Sequence, residues 1–214
     1  IWYQGESNRG DTSEYYFNLH KALVNGWRRA WGQGDFPFYY VQISALESWR
    51  PGWHIPEVWD GQNRVLELPR TGMAVIHDLC EDITNIHPKN KEGVGQRLAL
   101  WALARTYGVT DLPFAGPIYK SHTVEGTRIR IRFDYTFDGL KARDGKPLDG
   151  FAIAGADGKF VPAQAEVDTD TVVVWSDQVE QPMHVQFAWD GKAQPNLING
   201  AGLPASPFRT NRPR

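Results

Sequence analysis

His87 sits in the segment Asn85-Ile86-His87-Pro88-Lys89-Asn90-Lys91. An apolar run, Met73 to Ile76, precedes it, and a helical pattern from Val94 to Tyr107 follows. A loop between a strand and a helix is held on both sides by rigid elements, so α/β enzymes place catalytic side chains there. Imidazole exchanges a proton near neutral pH, which suits a general base. A nucleophile for that base is harder to find. Ser7 lies in Gly5-Glu6-Ser7-Asn8-Arg9, which lacks the second glycine of a Gly-x-Ser-x-Gly elbow.

Two segments around these residues carry alternative readings. Trp2-Tyr3-Gln4-Gly5-Glu6-Ser7-Asn8 is a polar, glycine-containing loop straight after a strand. It suits an active-site loop that binds a developing oxyanion. It equally suits a tight turn in which Ser7 or Asn8 caps the next segment. The stretch His77 to His87 has three readings. His87 acts as a base oriented by a nearby carboxylate. Or His77, Asp78, Glu81, Asp82 and His87 ligate a metal, although their spacing matches no compact zinc motif. Or His87 merely leads into a helix beside a solvated acidic loop. Trp49, Trp53, His54 and Trp59 surround Arg50-Pro51-Gly52, either as a sugar-stacking platform or as packing.

Positioning these residues requires a strand-helix scaffold. Glu14 to Trp31 carries Tyr16, Leu19, Leu23, Trp27 and Ala30 at helical spacing, with Asp11, Thr12 and Ser13 as cap candidates. Phe36 to Ile43 reads as a buried strand, Glu57 to Leu68 as a helix, and Thr71 to Ile76 as a second buried strand. Val94, Leu98, Trp101, Ala102 and Arg105 give the last helix one face. Strand-helix alternation with continuous apolar strands predicts a parallel sheet covered by helices over residues 1–112. From 113 to 214 the pattern changes. Ile129, Ile131 and Phe133 alternate with Arg128, Arg130 and Arg132. Phe151 to Ala154, Thr171 to Trp175 and His184 to Trp189 are further strands, with turn signals at Asp138-Gly139, Asp144-Gly145, Asp157-Gly158 and Asp190-Gly191. This half predicts an antiparallel β-sandwich.

Composition bounds the function. The 214 residues carry a net charge of -2, and no basic stripe offers a nucleic-acid surface. The apolar runs are too short to span a bilayer. The single cysteine, Cys80, excludes an internal disulfide and a Cys-rich zinc site. Nine Trp residues suit either sugar stacking or core filling. Ile1-Trp2-Tyr3 reads as the end of a strand, so the chain is expected to begin inside a domain.

The two loop segments together resemble the sialate O-acetylesterase-like branch of the SGNH (GDSL-type) hydrolases. Trp31-Gly32-Gln33-Gly34-Asp35-Phe36-Pro37-Phe38, Thr71-Gly72-Met73-Ala74-Val75, Val94-Gly95-Gln96-Arg97-Leu98-Ala99 and the ending Gly202 to Thr210 extend the resemblance along the chain. It implies a three-layer, flavodoxin-like hydrolase domain over 1–112, of which this chain holds the C-terminal part, followed by a β-sandwich accessory domain over 113–214. It implies a serine esterase that releases acetate from acetylated carbohydrates and needs no metal or organic cofactor. Export to a secreted or periplasmic location is the compartment it suggests. By the resemblance His87 is the catalytic histidine, and Gln4, Gly5 and Glu6 form the loop lining the catalytic centre. The family's Gly-Gln-Ser-Asn nucleophile segment is absent from this sequence, so the chain alone is expected to be inactive. The family's acid positions hold Thr84 and Asn85 here, which leaves Asp82, Asp78 or Glu6 to pair with His87, with Asp82 the first choice. Two other classes remain open: a carbohydrate-binding module without chemistry, and a metal-dependent hydrolase using the 77–87 cluster.

Overall fold

The continuous apolar runs become parallel strands. The computed structural model describes residues 1–47 and 54–212. The chain divides into two compact units, one of Ile1–Ala115 with Asp190–Lys192, the other of Gly116–Trp189 with Ala193–Arg214.

In the first unit β1 (Phe38–Val41) pairs in parallel with β2 (Thr71–Ala74), Phe38 opposite Thr71. Trp2 adds a parallel bridge to Tyr40 on the other edge of β1. Three helices accompany the strands: α1 (Ser13–Trp31), α2 (Ile55–Val65) and α3 (Lys91–Arg105). Thr12 caps α1 by accepting the Tyr15 N–H, and Asn90 caps α3 by accepting that of Gly93. The Trp101 indole of α3 donates to the Met73 carbonyl of β2 at 2.9 Å. Gly72 permits this approach, because a Cβ there would overlap the Trp101 ring.

The buried face of α1 differs from the one expected. Leu19 is 44% exposed and Ala30 is also exposed, whereas Tyr16, Phe17, His20, Val24 and Arg28 are buried. Two of those are polar, so an apolar count rotates the face. Arg28 donates to the carbonyls of Phe36 (2.9 Å) and Pro69 (2.7 Å) and lies 3.6 Å from the Asp35 carboxylate. It therefore satisfies the chain just before both strands begin. His20 is boxed edge-on by Tyr16, Phe38 and Tyr40. Asp190–Lys192 docks on the segment after β1: the Leu46 N–H donates to Gly191 O (2.7 Å), and Lys192 pairs with Glu47 (2.7 Å).

The second unit holds β3 (Ile118–Glu125), β4 (Arg128–Asp134), β5 (Leu140–Ala142), β6 (Phe151–Ala154), β7 (Val161–Pro162), β8 (Gln164–Asp168), β9 (Thr171–Trp175), β10 (His184–Phe187), β11 (Leu197–Asn199) and β12 (Phe208–Arg209). They form sheets in the orders β3-β4-β9-β8, β12-β10-β6-β7 and β11-β5, antiparallel throughout. One apolar cluster draws Ile129, Ile131, Val172 and Val174 from the first sheet and Ile153, Val185, Phe187 and Phe208 from the second. The alternating arginines of β4 face away from that cluster. Arg130 pairs with Glu125 (2.8 Å) and Asp168 (2.7 Å), and Arg128 lies over the Trp175 ring.

His20 generates a stability prediction. Its ring nitrogens are buried without hydrogen bonds among the described residues, and burial lowers its pKa to about 4 from the ordinary 6.5. Above pH 6.5 the residue is neutral both folded and unfolded. As pH falls towards 4, only the unfolded chain takes the proton, so stability falls with it. The contribution lost by pH 4.5 is about 2–3 kcal/mol. Urea unfolding at pH 7 and pH 4.5 should show this loss shrinking by that amount in His20→Phe; an unchanged pH dependence would reject the assignment.

Candidate active site

Three chain segments leave the carboxyl ends of the parallel strands: residues 3–12 after Trp2, 42–47 after β1 and 75–90 after β2. In α/β sheets this end is where ligands bind.

The first segment is a compact turn. Gly5 has φ +152°, and a Cβ there would lie 2.8 Å from the Ile43 side chain. Both facts reserve the position for glycine. The Asn8 N–H closes a 3-10 turn, Glu6–Asn8, onto the Gly5 carbonyl at 2.9 Å. The Gln4 side-chain amide donates to Asn8, and that of Asn8 donates to Asp11 at 2.6 Å. The Gln4 carbonyl accepts from the Tyr16 hydroxyl (3.0 Å) and from the Gln62 amide (3.3 Å). Further along, Ser13 Oγ donates to the buried Asp60 carboxylate at 2.6 Å, fixing the start of α1 to α2. Ser7 is exposed, and no hydrogen bond joins it to a base among the described residues.

The third segment, 75–90, is held from below and from within. The Glu47 N–H donates to the Ile83 carbonyl at 2.6 Å, and the Cys80 thiol lies 3.7 Å from the Ala45 carbonyl. Asp82 Oδ1 accepts both the N–H (2.9 Å) and the hydroxyl (2.6 Å) of Thr84. The Thr84 hydroxyl, then its amide, then the charge of Lys89, hold the Asp82 carboxyl below the ordinary carboxylate range. Asn85 Oδ1 accepts the His87 N–H at 2.9 Å, a side-chain turn that aims His87. His87 is exposed, and its ring makes no hydrogen bond among the described residues.

A shared apolar cluster brings the two loops together. Tyr3 from the first segment and Ile83 and Ile86 from the third pack on Tyr16, Ile43, Leu46 and Trp59. The Lys91 ammonium, at the start of α3, lies 4.6 Å from the Tyr3 ring centre. Burial pushes the Tyr3 phenol far above its usual range, and the charge of Glu6 adds to the effect.

Other candidates are not brought together. No hydrogen bond or ion pair links Asp82 to His87 among the described residues. Asp78 forms a two-pronged pair with Arg97, 2.6 Å on each side, in which Arg97 also reaches the Val75 carbonyl. Burial raises the Asp78 carboxyl, but the two Arg97 hydrogen bonds and the Arg97 charge outweigh it and leave it lowered. That carboxylate braces α3 against the end of β2. Among the described residues no group of three His, Cys, Asp or Glu side chains is placed to hold a metal ion. Trp59 is 0% exposed and its indole donates to Ile43 O at 2.7 Å, so it is core rather than a stacking surface. His54 precedes α2 and its N–H donates to Arg9 O at 2.7 Å. Trp49, Arg50-Pro51-Gly52 and Trp53 lie outside the described residues. The residues to which sequence reasoning gave no role at the site are Gln62 and Tyr16, which grip the first loop. Their signal is a glutamine and a phenol on the buried faces of amphipathic helices.

No family model matches the chain. Over 97% of its length it is 30% identical to the sialate O-acetylesterase of Rattus norvegicus and 28% identical to that of Homo sapiens. It spans 43% and 45% of those two proteins. Among solved structures, a carbohydrate acetylesterase from Xanthomonas citri matches 99% of the chain at 39% identity with a TM-score of 0.91, and the chain covers 50% of it. These relatives agree with each other and with the loop motifs, and along nearly its whole length this chain is similar to part of the sialate O-acetylesterase-like enzymes.

Proposed function

We propose that the protein containing this chain is a carbohydrate O-acetylesterase, and that His87 is its general base. The observation that carries this reading is the 39% identity and TM-score of 0.91 to a carbohydrate acetylesterase. It is joined by the location of the His87 loop beside the Gln4–Glu6 loop on one cluster. In this reading residues 1–112 are the C-terminal part of a three-layer SGNH hydrolase domain, and 113–214 are a β-sandwich accessory domain. The substrates are sugars carrying O-acetyl groups, such as sialic acids or xylan.

The reaction is two-step acyl transfer. A serine that is not among residues 1–214 attacks the acetyl carbonyl while His87 takes its proton. The turn at Gln4-Gly5-Glu6 lines the centre where the tetrahedral oxyanion forms. His87 then gives the proton to the departing sugar oxygen. Water, deprotonated by His87, attacks the acyl-enzyme; acetate leaves as His87 returns the proton to the serine oxygen. Asp82 is the acid proposed to support the imidazolium. It acts at a distance through its charge, and it also sets the turn that carries His87.

In the intact protein, His87→Ala should lower acetate release by roughly 10²–10⁴-fold with an unchanged circular dichroism spectrum. Near-normal turnover would refute the role. The 214-residue chain alone should hydrolyse p-nitrophenyl acetate no faster than its Ser7→Ala variant; Ser7-dependent turnover would refute the placement of the nucleophile. Asp82→Asn keeps an oxygen for Thr84 but loses the charge. If the charge supports the imidazolium, Asp82→Asn lowers kcat nearly as much as Asp82→Ala. Wild-type kcat in Asp82→Asn would leave Asp82 with the turn alone.

A further inference from the structure

The parallel ladder between the Trp2 segment and β1 stops abruptly. Its two bonds run from Trp2 N–H to Tyr39 O (2.9 Å) and from Val41 N–H to Trp2 O (3.0 Å). In the same register the next rung would join the Gln4 N–H to Val41 O and the Ile43 N–H to Gln4 O. Neither bond forms. The Gln62 carboxamide stands in the gap instead. Its Oε1 accepts the Ile43 N–H at 3.1 Å, and its Nε2 reaches Val41 O at 3.2 Å and Gln4 O at 3.3 Å. The side chain is fully buried, and the Tyr16 hydroxyl completes the arrangement by donating to Gln4 O.

We infer that Gln62 is a positioning residue for the esterase reaction: its amide replaces one rung of the sheet, splits the Trp2 segment from β1, and so places the Gln4-Gly5-Glu6 turn. This rests on the esterase reading above. A carboxamide is suited to the task because it offers a donor and an acceptor in one plane, as a peptide group does. Leucine would leave Val41 O and the Ile43 N–H buried without Gln62's hydrogen bonds. Glutamate would still accept from Ile43, but when ionised it would face two carbonyl oxygens. It could substitute only when protonated, and burial favours that form.

Two readouts test the inference. In the 214-residue chain, hydrogen exchange at the Asn8 and Asp11 amides, which close the turn, should accelerate about tenfold or more in Gln62→Leu, while exchange at Leu98 in α3 stays near wild type. Unchanged turn protection would overturn the wedge. In the intact protein, Gln62→Leu should lower kcat for acetyl-ester hydrolysis by about tenfold or more, with KM within about threefold. Gln62→Glu, should the leucine variant fold poorly, should add a falling alkaline limb to the pH profile of kcat as its carboxyl ionises. A wild-type profile in Gln62→Glu, or wild-type kcat in a folded Gln62→Leu, would overturn the positioning role. Failure of the esterase reading looks different: the intact wild-type protein would then release no acetate, while the exchange measurement still decides the wedge.

Discussion

A parallel sheet this short must be finished at both ends by side chains, because its backbone N–H and C=O groups outrun their ladder partners. Buried groups of that kind are costly when left unpaired. At the end where the strands begin, Arg28 of α1 takes up the carbonyls of Phe36 and Pro69. At the end where they leave, Gln62 of α2 takes up Val41, Ile43 and Gln4. Each helix thus contributes a polar residue on its buried face. The fork opened by Gln62 and the turn at Gly5 are one arrangement, and the site of the first unit follows from it.

The same requirement explains what the sequence concealed. Helical periodicity located α1, α2 and α3 to within about three residues, and continuous apolar runs located β1 and β2. The face of α1 was misread because His20 and Arg28 carry the burial that Leu19 and Ala30 were expected to carry. In the second unit the alternation of Ile129, Ile131 and Phe133 with three arginines was plain, and β4 sits at the centre of that pattern. β3 and β8 were not legible. Neither has a fully buried residue, β3 is interrupted by a register shift at Tyr119/Ser121, and β8 offers only Ala165 and Val167 to the core. The Asp-Gly pairs do fall in turns: Asp157-Gly158 joins β6 to β7, and Asp144, Asp157 and Asp190 each accept the N–H two residues on. The tight β3-β4 and β8-β9 turns carry no such pair and pass through Gly126 and Thr169, both with φ near +60°.

At the site, loop position was legible and pairing was not. The place of His87, after a strand and before a helix, follows from pattern alone. The fate of each nearby acid depends on contacts from elsewhere in the chain. Asp78 is consumed by Arg97 from α3, and Asp82 is turned back on Thr84. Asn85, which departs from the family's acid, has a local task that its type explains, since its oxygen accepts the His87 N–H. Gln62 lies inside the run Glu57 to Leu68 that reads as a helix, and nothing local marks it as the partner of three separated backbone groups.

The Asp190–Lys192 tongue gives the first unit an order of assembly. Leu46 and Glu47 follow β1 directly, yet their partners Gly191 and Lys192 are about 145 residues further along the chain. During synthesis the amino-terminal unit emerges first but stays unfinished at this edge until most of the second unit has been made. Its last contacts form late, on the segment that also holds the Cys80–Ile83 stretch through Ala45 and Glu47. A nascent chain of which only residues 1–120 have left the ribosome would therefore carry the His87 loop without the full brace beneath it.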